Sequence, residues 1–135
     1  MANEIIVTDL LGNGGDPIEF TCADGTGIAK GAIMELLDLR TVQLNSAADK
    51  PVVGIAAHEK VASDGSTTIS VLTNFIGKAV TKGGGSATKG DGVSAVTTDN
   101  TVDLSSTLDM EKGWQLGYAL EDGGASESIL IRVRK

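Results

Sequence analysis

The sequence predicts an all-β protein. The expected form is a small barrel- or sandwich-like domain of short strands, with an internal pseudo-duplication and an extended N-terminal arm. Three observations lead there. Glycine supplies 18 of 135 residues and Thr and Ser are frequent, a mix that favours tight turns between short strands over helices. Aromatic side chains are scarce, namely Phe20, Phe75, Trp114 and Tyr118, so the core must be packed from Val, Ile, Leu and Ala in thin β layers. The third observation is that one pattern occurs nearly twice.

Its first copy is Val52-Val53-Gly54-Ile55-Ala56-Ala57, followed by a turn at Asp64-Gly65 and the run Thr68-Ile69-Ser70-Val71-Leu72. Near the C-terminus Gln115-Leu116-Gly117-Tyr118-Ala119-Leu120 repeats the Gly-apolar-Ala step. Gly123-Gly124 then stands for the turn, and Ser128-Ile129-Leu130-Ile131-Arg132-Val133 for the second run. Upstream of each copy a Lys-Gly step opens an apolar segment, at Lys30-Gly31-Ala32-Ile33-Met34 and at Lys89-Gly90-Asp91-Gly92-Val93. Features recurring in the same order imply two units in tandem, each too small to bury its own apolar face. The sequence places them at residues 28–81 and 87–134, divided near Gly83-Gly84-Gly85-Ser86.

Length gives one domain, able to bury about two-thirds of its unfolded-chain surface. A net charge of −7 argues against a partner bound through its phosphate backbone, which needs clustered Lys and Arg. Cys22 is the single cysteine, so no intrachain disulfide framework forms. No apolar run approaches the roughly 20 residues of a membrane helix, and Met1-Ala2-Asn3-Glu4 lacks the basic start of a signal peptide. The expectation is a soluble chain made in a cytoplasm, with no nucleic acid or membrane as partner.

Along the chain, residues 1–17 stand apart from a β-rich body at 18–135. Glu4-Ile5-Ile6-Val7-Thr8 is β-prone, and Gly12-Asn13-Gly14-Gly15-Asp16-Pro17 is too flexible for regular structure. A strand on such a linker is either a docking arm or an edge strand of its own domain. Extended, residues 2–16 reach about 50 Å. Ala32–Leu37 has helix propensity but is short, begins at a glycine and lacks a cap. Its counterpart at Gly92–Val96 is strand-like, so a strand is predicted, with Asp38-Leu39-Arg40 turning into Thr41–Leu44. Gly54 in mid-strand makes room for a close backbone approach or a bulge. Thr73-Asn74 is a candidate tight hairpin between Thr67–Leu72 and Phe75–Thr81. Thr97–Lys112, with Asp99, Asp103, Asp109 and Glu111, is expected to be a solvated loop.

Catalytic chemistry finds little footing. A Ser-His-Asp site needs a histidine, and His58 is the only one, set beside Glu59 and Lys60 in an expected loop. One histidine and one cysteine are too few for a zinc site. Cys22 at a strand end suits a small buried hydrophobe. The dinucleotide pattern opened by Gly12-Asn13-Gly14 ends on Pro17 instead of glycine. Gly84-Gly85-Ser86-Ala87-Thr88-Lys89-Gly90 has Thr-Lys-Gly where a phosphate loop needs Gly-Lys-Ser/Thr. The expectation is a protein with no catalytic, cofactor or metal residues.

Gly27-Ile28-Ala29-Lys30-Gly31, Asp49-Lys50-Pro51-Val52-Val53-Gly54-Ile55-Ala56, the alternating Thr68–Leu72 and the late Gly117-Tyr118-Ala119-Leu120-Glu121 resemble the capsid decoration, or cement, proteins of tailed bacteriophages. The resemblance covers roughly residues 18–135. It implies a small β-rich structural protein of the virion, commonly a homotrimer, that binds the major capsid protein on the outer surface of an expanded icosahedral shell and stabilises it against the pressure of packaged DNA. Glu4, Ile5, Ile6, Val7 and Thr8 are then the candidate capsid or subunit contact, because main-chain pairing gives affinity without special side chains. Trp114 and Tyr118 are candidates for the core or for a subunit contact. The rival readings are a β-clip-like ligand- or glycan-binding module and a head-fibre or adhesin domain.

Overall fold

Alternation of Val, Ile and Leu with small or polar residues gives eleven short strands among the described residues, which in this computed structural model are 3–96 and 99–135. β1 (Ile6–Leu10) comes first. β2 (Ile18–Thr21), β3 (Ile33–Asp38), β4 (Thr41–Leu44), β5 (Val52–Ala56) and β6 (Thr68–Leu72) close a barrel in the order β2-β4-β3-β5-β6. β7 (Asn74–Thr81), β8 (Gly92–Ala95), β9 (Thr101–Leu104), β10 (Gly117–Ala119) and β11 (Ser128–Arg134) close a second, because β7 pairs with both β11 and β9. A short helix, α1 (Thr107–Lys112), is capped by the Ser106 side chain, which accepts from the Asp109 N–H, and ends at Gly113. The fold is all-β and barrel-like, as the composition predicts.

The two barrels share one topology. In each, the first strand pairs parallel with the third, at Thr21↔Thr41 and Val80↔Thr101. In each, it pairs antiparallel with the fifth, at Thr21↔Thr68 and Val80↔Ser128. Hydrogen bonds repeat with them. Ile28 and Lys60 exchange N–H···O bonds of 2.9 and 2.8 Å, as Ala87 and Gly123 do at 3.0 and 2.9 Å. The Gly31 and Gly90 N–H groups donate to the carbonyls of Ala56 and Ala119 at 2.9 and 2.8 Å.

The Gly-apolar-Ala step has one physical cause in both units. Gly54 pairs with Met34 and Gly117 with Val93, where each crowds the neighbouring strand. A Cβ on Gly54 would lie 2.1 Å from the Leu72 carbonyl oxygen, and one on Gly117 would lie 2.0 Å from that of Arg132. Tight curvature of a five-stranded barrel brings these backbones together, so only glycine fits. The alanine that follows by two, Ala56 or Ala119, points inward and is fully buried.

The unit boundary differs from the one the sequence suggests. The barrels take residues 18–72 and 74–134, so Asn74–Thr81 opens the second unit instead of closing the first. The glycines at 83–85 are a loop inside the second barrel. Thr73-Asn74 is accordingly a crossover between barrels and not a hairpin, since β6 pairs with β2 and β5 while β7 pairs with β1, β9 and β11. Its backbone is held from both sides: the Thr73 and Asn74 N–H groups donate to Gly15 O at 3.0 Å, and Lys135 N–H donates to Thr73 O at 2.9 Å.

The polar stretch from Thr97 is also more structured than expected. Thr97 itself lies outside the described residues, as do Met1, Ala2 and Thr98. Beyond it come β9 and α1, with Asn100, Val102, Ser105 and Asp109 buried. The polar side chains satisfy buried backbone there: Asn100 Oδ1 accepts from Ile33 N–H at 2.9 Å, tying the second barrel to the first.

Both interiors are aliphatic. Met34, Val42, Ala56, Ile69 and Val71 fill the first barrel, while Val93, Val102, Ala119, Ile129 and Ile131 stand at the equivalent places of the second. Ile33, Val52, Ile55 and Leu72 face outward from the first barrel and join the second barrel's core, together with the fully buried Phe75.

Asp16 and Asp64 are held below the ordinary aspartate pKa of 3.8, Asp16 chiefly by a hydrogen bond from the Asn74 side chain at 2.7 Å and Asp64 chiefly by the Ser66 N–H at 2.8 Å. A carboxylate whose folded-state pKa is depressed contributes stability in full above its unfolded value, and that stability is lost as pH falls through the folded value. Melting temperature is therefore expected to hold steady down to about pH 4 and to fall below it. Asp16→Asn is expected to shallow that fall, and a melt series that drops equally in wild type and variant would contradict it.

Candidate functional site

A protein that docks through its backbone needs a strand with an unpaired side. Among the described residues β1 is the strand outside both closed barrels, and its ladder runs to β7 only. Its own position is fixed within the chain. Ile5 is 3% exposed, and its N–H donates to Gly31 O at 3.0 Å in the first barrel. Ile6 to Leu10 meanwhile pair with Phe75 to Lys78 in the second, with a bulge between Val7 and Asp9. Gly31 and Gly77 stand on either side, where an added Cβ would meet Ile5 O at 2.4 Å and Ile5 Cγ2 at 2.9 Å. The N-terminal segment is thus a strand laid in the seam between barrels, not a free extended arm. The flexible composition of Gly12–Asp16 is used for a tight return, in which Asn13 N–H donates to Asp16 Oδ1 at 2.9 Å.

The five residues of the candidate contact divide by facing. Ile5 is core, and Glu4 and Val7 are half-buried. Ile6 and Thr8 are exposed, Ile6 at 67%, with the Thr8 hydroxyl donating to Ile76 O at 3.1 Å. Neither Trp114 nor Tyr118 lies in the core. Trp114 is half-buried, with Lys112 Nζ 5.6 Å from its ring centroid. Tyr118 is 46% exposed, because its neighbour Ala119 takes the inward place on β10.

The most exposed large apolar residue lies outside every candidate site read from the sequence. Leu39 is 90% exposed at the tip of the β3–β4 hairpin, and Leu37 is 58% exposed beside it. The signal was present: Leu36-Leu37-Asp38-Leu39 carries apolar residues straight through a turn, where polar ones are usual. Lys60 is another. Its ammonium is enclosed in the loops of the first barrel, donating to Asp24 O at 2.7 Å and lying 3.2 Å from Asp64 Oδ1. Burial pulls its pKa down, but the two carboxylates outweigh that and raise it. The arrangement ties two loops together. His58 lies at the surface, and Cys22 is buried with its thiol pKa pushed up by burial, so it is a poor nucleophile.

No family model matches the chain, and no curated protein matches it. Among solved structures it is similar to the N base of the head fiber gp8.5 of bacteriophage phi29. The TM-score is 0.52 at 12% sequence identity, over 87% of this chain and 93% of that one. The shared property at this identity is the fold. It extends across both barrels, since a match over 87% of the chain cannot be confined to one of them.

Proposed function

We propose that this chain is a structural protein of a tailed-phage head that docks on the outer surface of the capsid. The observation that carries the reading is the likeness in fold, nearly end to end, to the base of a phage head fibre. The resemblance of Lys50–Ala57 and Gly117–Glu121 to capsid decoration proteins points the same way, although its glycines are the ones the barrel itself requires. In this reading the partner is the major capsid protein, the chain acts as a homotrimer without catalysis, and binding clamps the expanded shell against internal DNA pressure. The acidic loops, in a chain of net charge −7, keep the outward surface soluble.

A second reading has a specific observation in its favour. The matched structure is the base of a head fibre, so the two barrels would anchor a projecting fibre instead of cementing the shell. One experiment separates the two. Purified protein is sedimented with expanded, empty capsids, and the capsids are then heated. Cement binds and raises the temperature at which shells break. A fibre base binds and leaves that temperature unchanged. Protein that stays in the supernatant at saturating capsid concentration overturns both.

A further inference from the structure

The contact between the two barrels is not symmetric, and its asymmetry leaves two unused faces. The first barrel contributes the outward side of β3, β5 and β6, through Ile33, Val52, Ile55 and Leu72. By strand register the same places on the second barrel are Gly92, Gln115, Tyr118 and Arg132. There Tyr118 is 46% exposed, and Gly92, Gln115 and Arg132 are half-buried. The second barrel instead contributes its other flank: Asn100, at the turn entering β9, accepts from Ile33 N–H, and Val80 on β7 lines the seam with Ile55 and Leu72. The equivalent flank of the first barrel is the β3–β4 tip. There Arg40 matches Asn100, both with positive φ (50° and 65°), and Leu39 stands where the second barrel has Asp99.

A contact in which one unit offers its face and the other its flank is heterologous, and it repeats from copy to copy until a ring closes or a filament grows. We propose that copies of this chain associate head to tail. The Leu37–Leu39 tip of one copy seats on the Tyr118 face of the next, at the places the barrels use within one chain. Apolar packing and opposite charge stand in place of the Asn100–Ile33 hydrogen bond, which Arg40 has no acceptor to make. The occupant is a second copy because each free face is the counterpart of a surface already buried in the other barrel. Charge agrees. Exposed Glu19 and Asp38 flank the tip, while Arg132 and Arg134 border the Tyr118 face. Arg40 is turned back, its Nε donating to Glu19 O at 3.2 Å. Among the described residues no strand lies against β2 as β1 lies against β7, so the contact between chains is smaller than the one within, and association is reversible.

This inference deepens the self-association in the proposed function by naming its faces, yet rests on barrel geometry and not on the capsid. The test is sedimentation of the free full-length chain, separate from capsid binding. Wild type is expected to show concentration-dependent association below about 100 μM, a weak-interface range. Leu39→Asp and Tyr118→Asp, both at exposed sites, are each expected to weaken it at least tenfold with unchanged circular dichroism. An equimolar mixture of the two variants retains one good tip and one good face, and is expected to form a discrete species of twice the monomer mass. Wild type that stays monomeric at 100 μM, single variants that sediment as wild type, or a mixture that fails to pair would each overturn it. If either Asp variant misfolds, Leu39→Cys with Tyr118→Cys replaces it. Interchain disulfide on oxidation supports the contact, and its absence contradicts it.

Discussion

Gly54→Ala and Gly117→Ala are expected to be the most destabilising single methyl additions in this protein. At each site the new Cβ would sit 2.0–2.1 Å from a backbone carbonyl oxygen on the next strand, and backbone in a closed barrel cannot step aside without breaking its ladder. Overpacking of this kind costs about 3 kcal/mol. Gly54 adds a φ of 145°, strained for any side chain, for roughly another 1–3 kcal/mol. A domain of this length has a total stability of about 7–20 kcal/mol, so Gly54→Ala consumes a large share of it. Urea titration of both variants checks the order: Gly54→Ala should have the lower midpoint. Midpoints equal to wild type would mean that the close approach at β5/β6 and β10/β11 is not there.

Deleting residues 2–11 is expected to damage the fold itself. The strand fills a seam, and its loss uncovers Leu72, Phe75 and Val80 and leaves the Gly31 carbonyl without the Ile5 N–H. Truncating Ile5 alone to alanine should cost about 2–5 kcal/mol, as for other buried large-to-small changes, and the deletion should cost more. Thermal unfolding of the truncated chain measures this, and a melting temperature matching wild type would return the segment to the status of an accessory arm. Docking has to be probed separately at the outward positions. Ile6→Asp, at a site 67% exposed, should change stability by less than about 0.5 kcal/mol. Any loss of capsid binding in that variant reports on contact, not on folding.

The sequence by itself determined the class of fold and its internal repetition. Both follow from local chemistry: β-branched alternation, turn glycines, and a glycine that recurs wherever β5 or β10 crosses its neighbour. It also made Ala32–Leu37 a strand against its helix propensity, through the likeness to Gly92–Val96. Only the tertiary structure decided where one unit ends and the next begins. A repeat is visible in sequence through its most constrained residues, whereas barrel closure depends on which strand supplies the last ladder, and β7 supplies it to the second barrel. The fate of the N-terminal strand was open for a related reason. A β-prone run on a glycine-rich linker has the same composition whether it pairs at home or away, and the choice rested on Gly31 and Gly77 leaving a slot for Ile5. The faces that distinguish the barrels were hidden most completely. Ile55 and Tyr118 share a place in the repeat, but burial of Ile55 and exposure of Tyr118 arise from an asymmetric contact between barrels, whose trace in the sequence is the exchange of Val52 and Leu72 for Gln115 and Arg132.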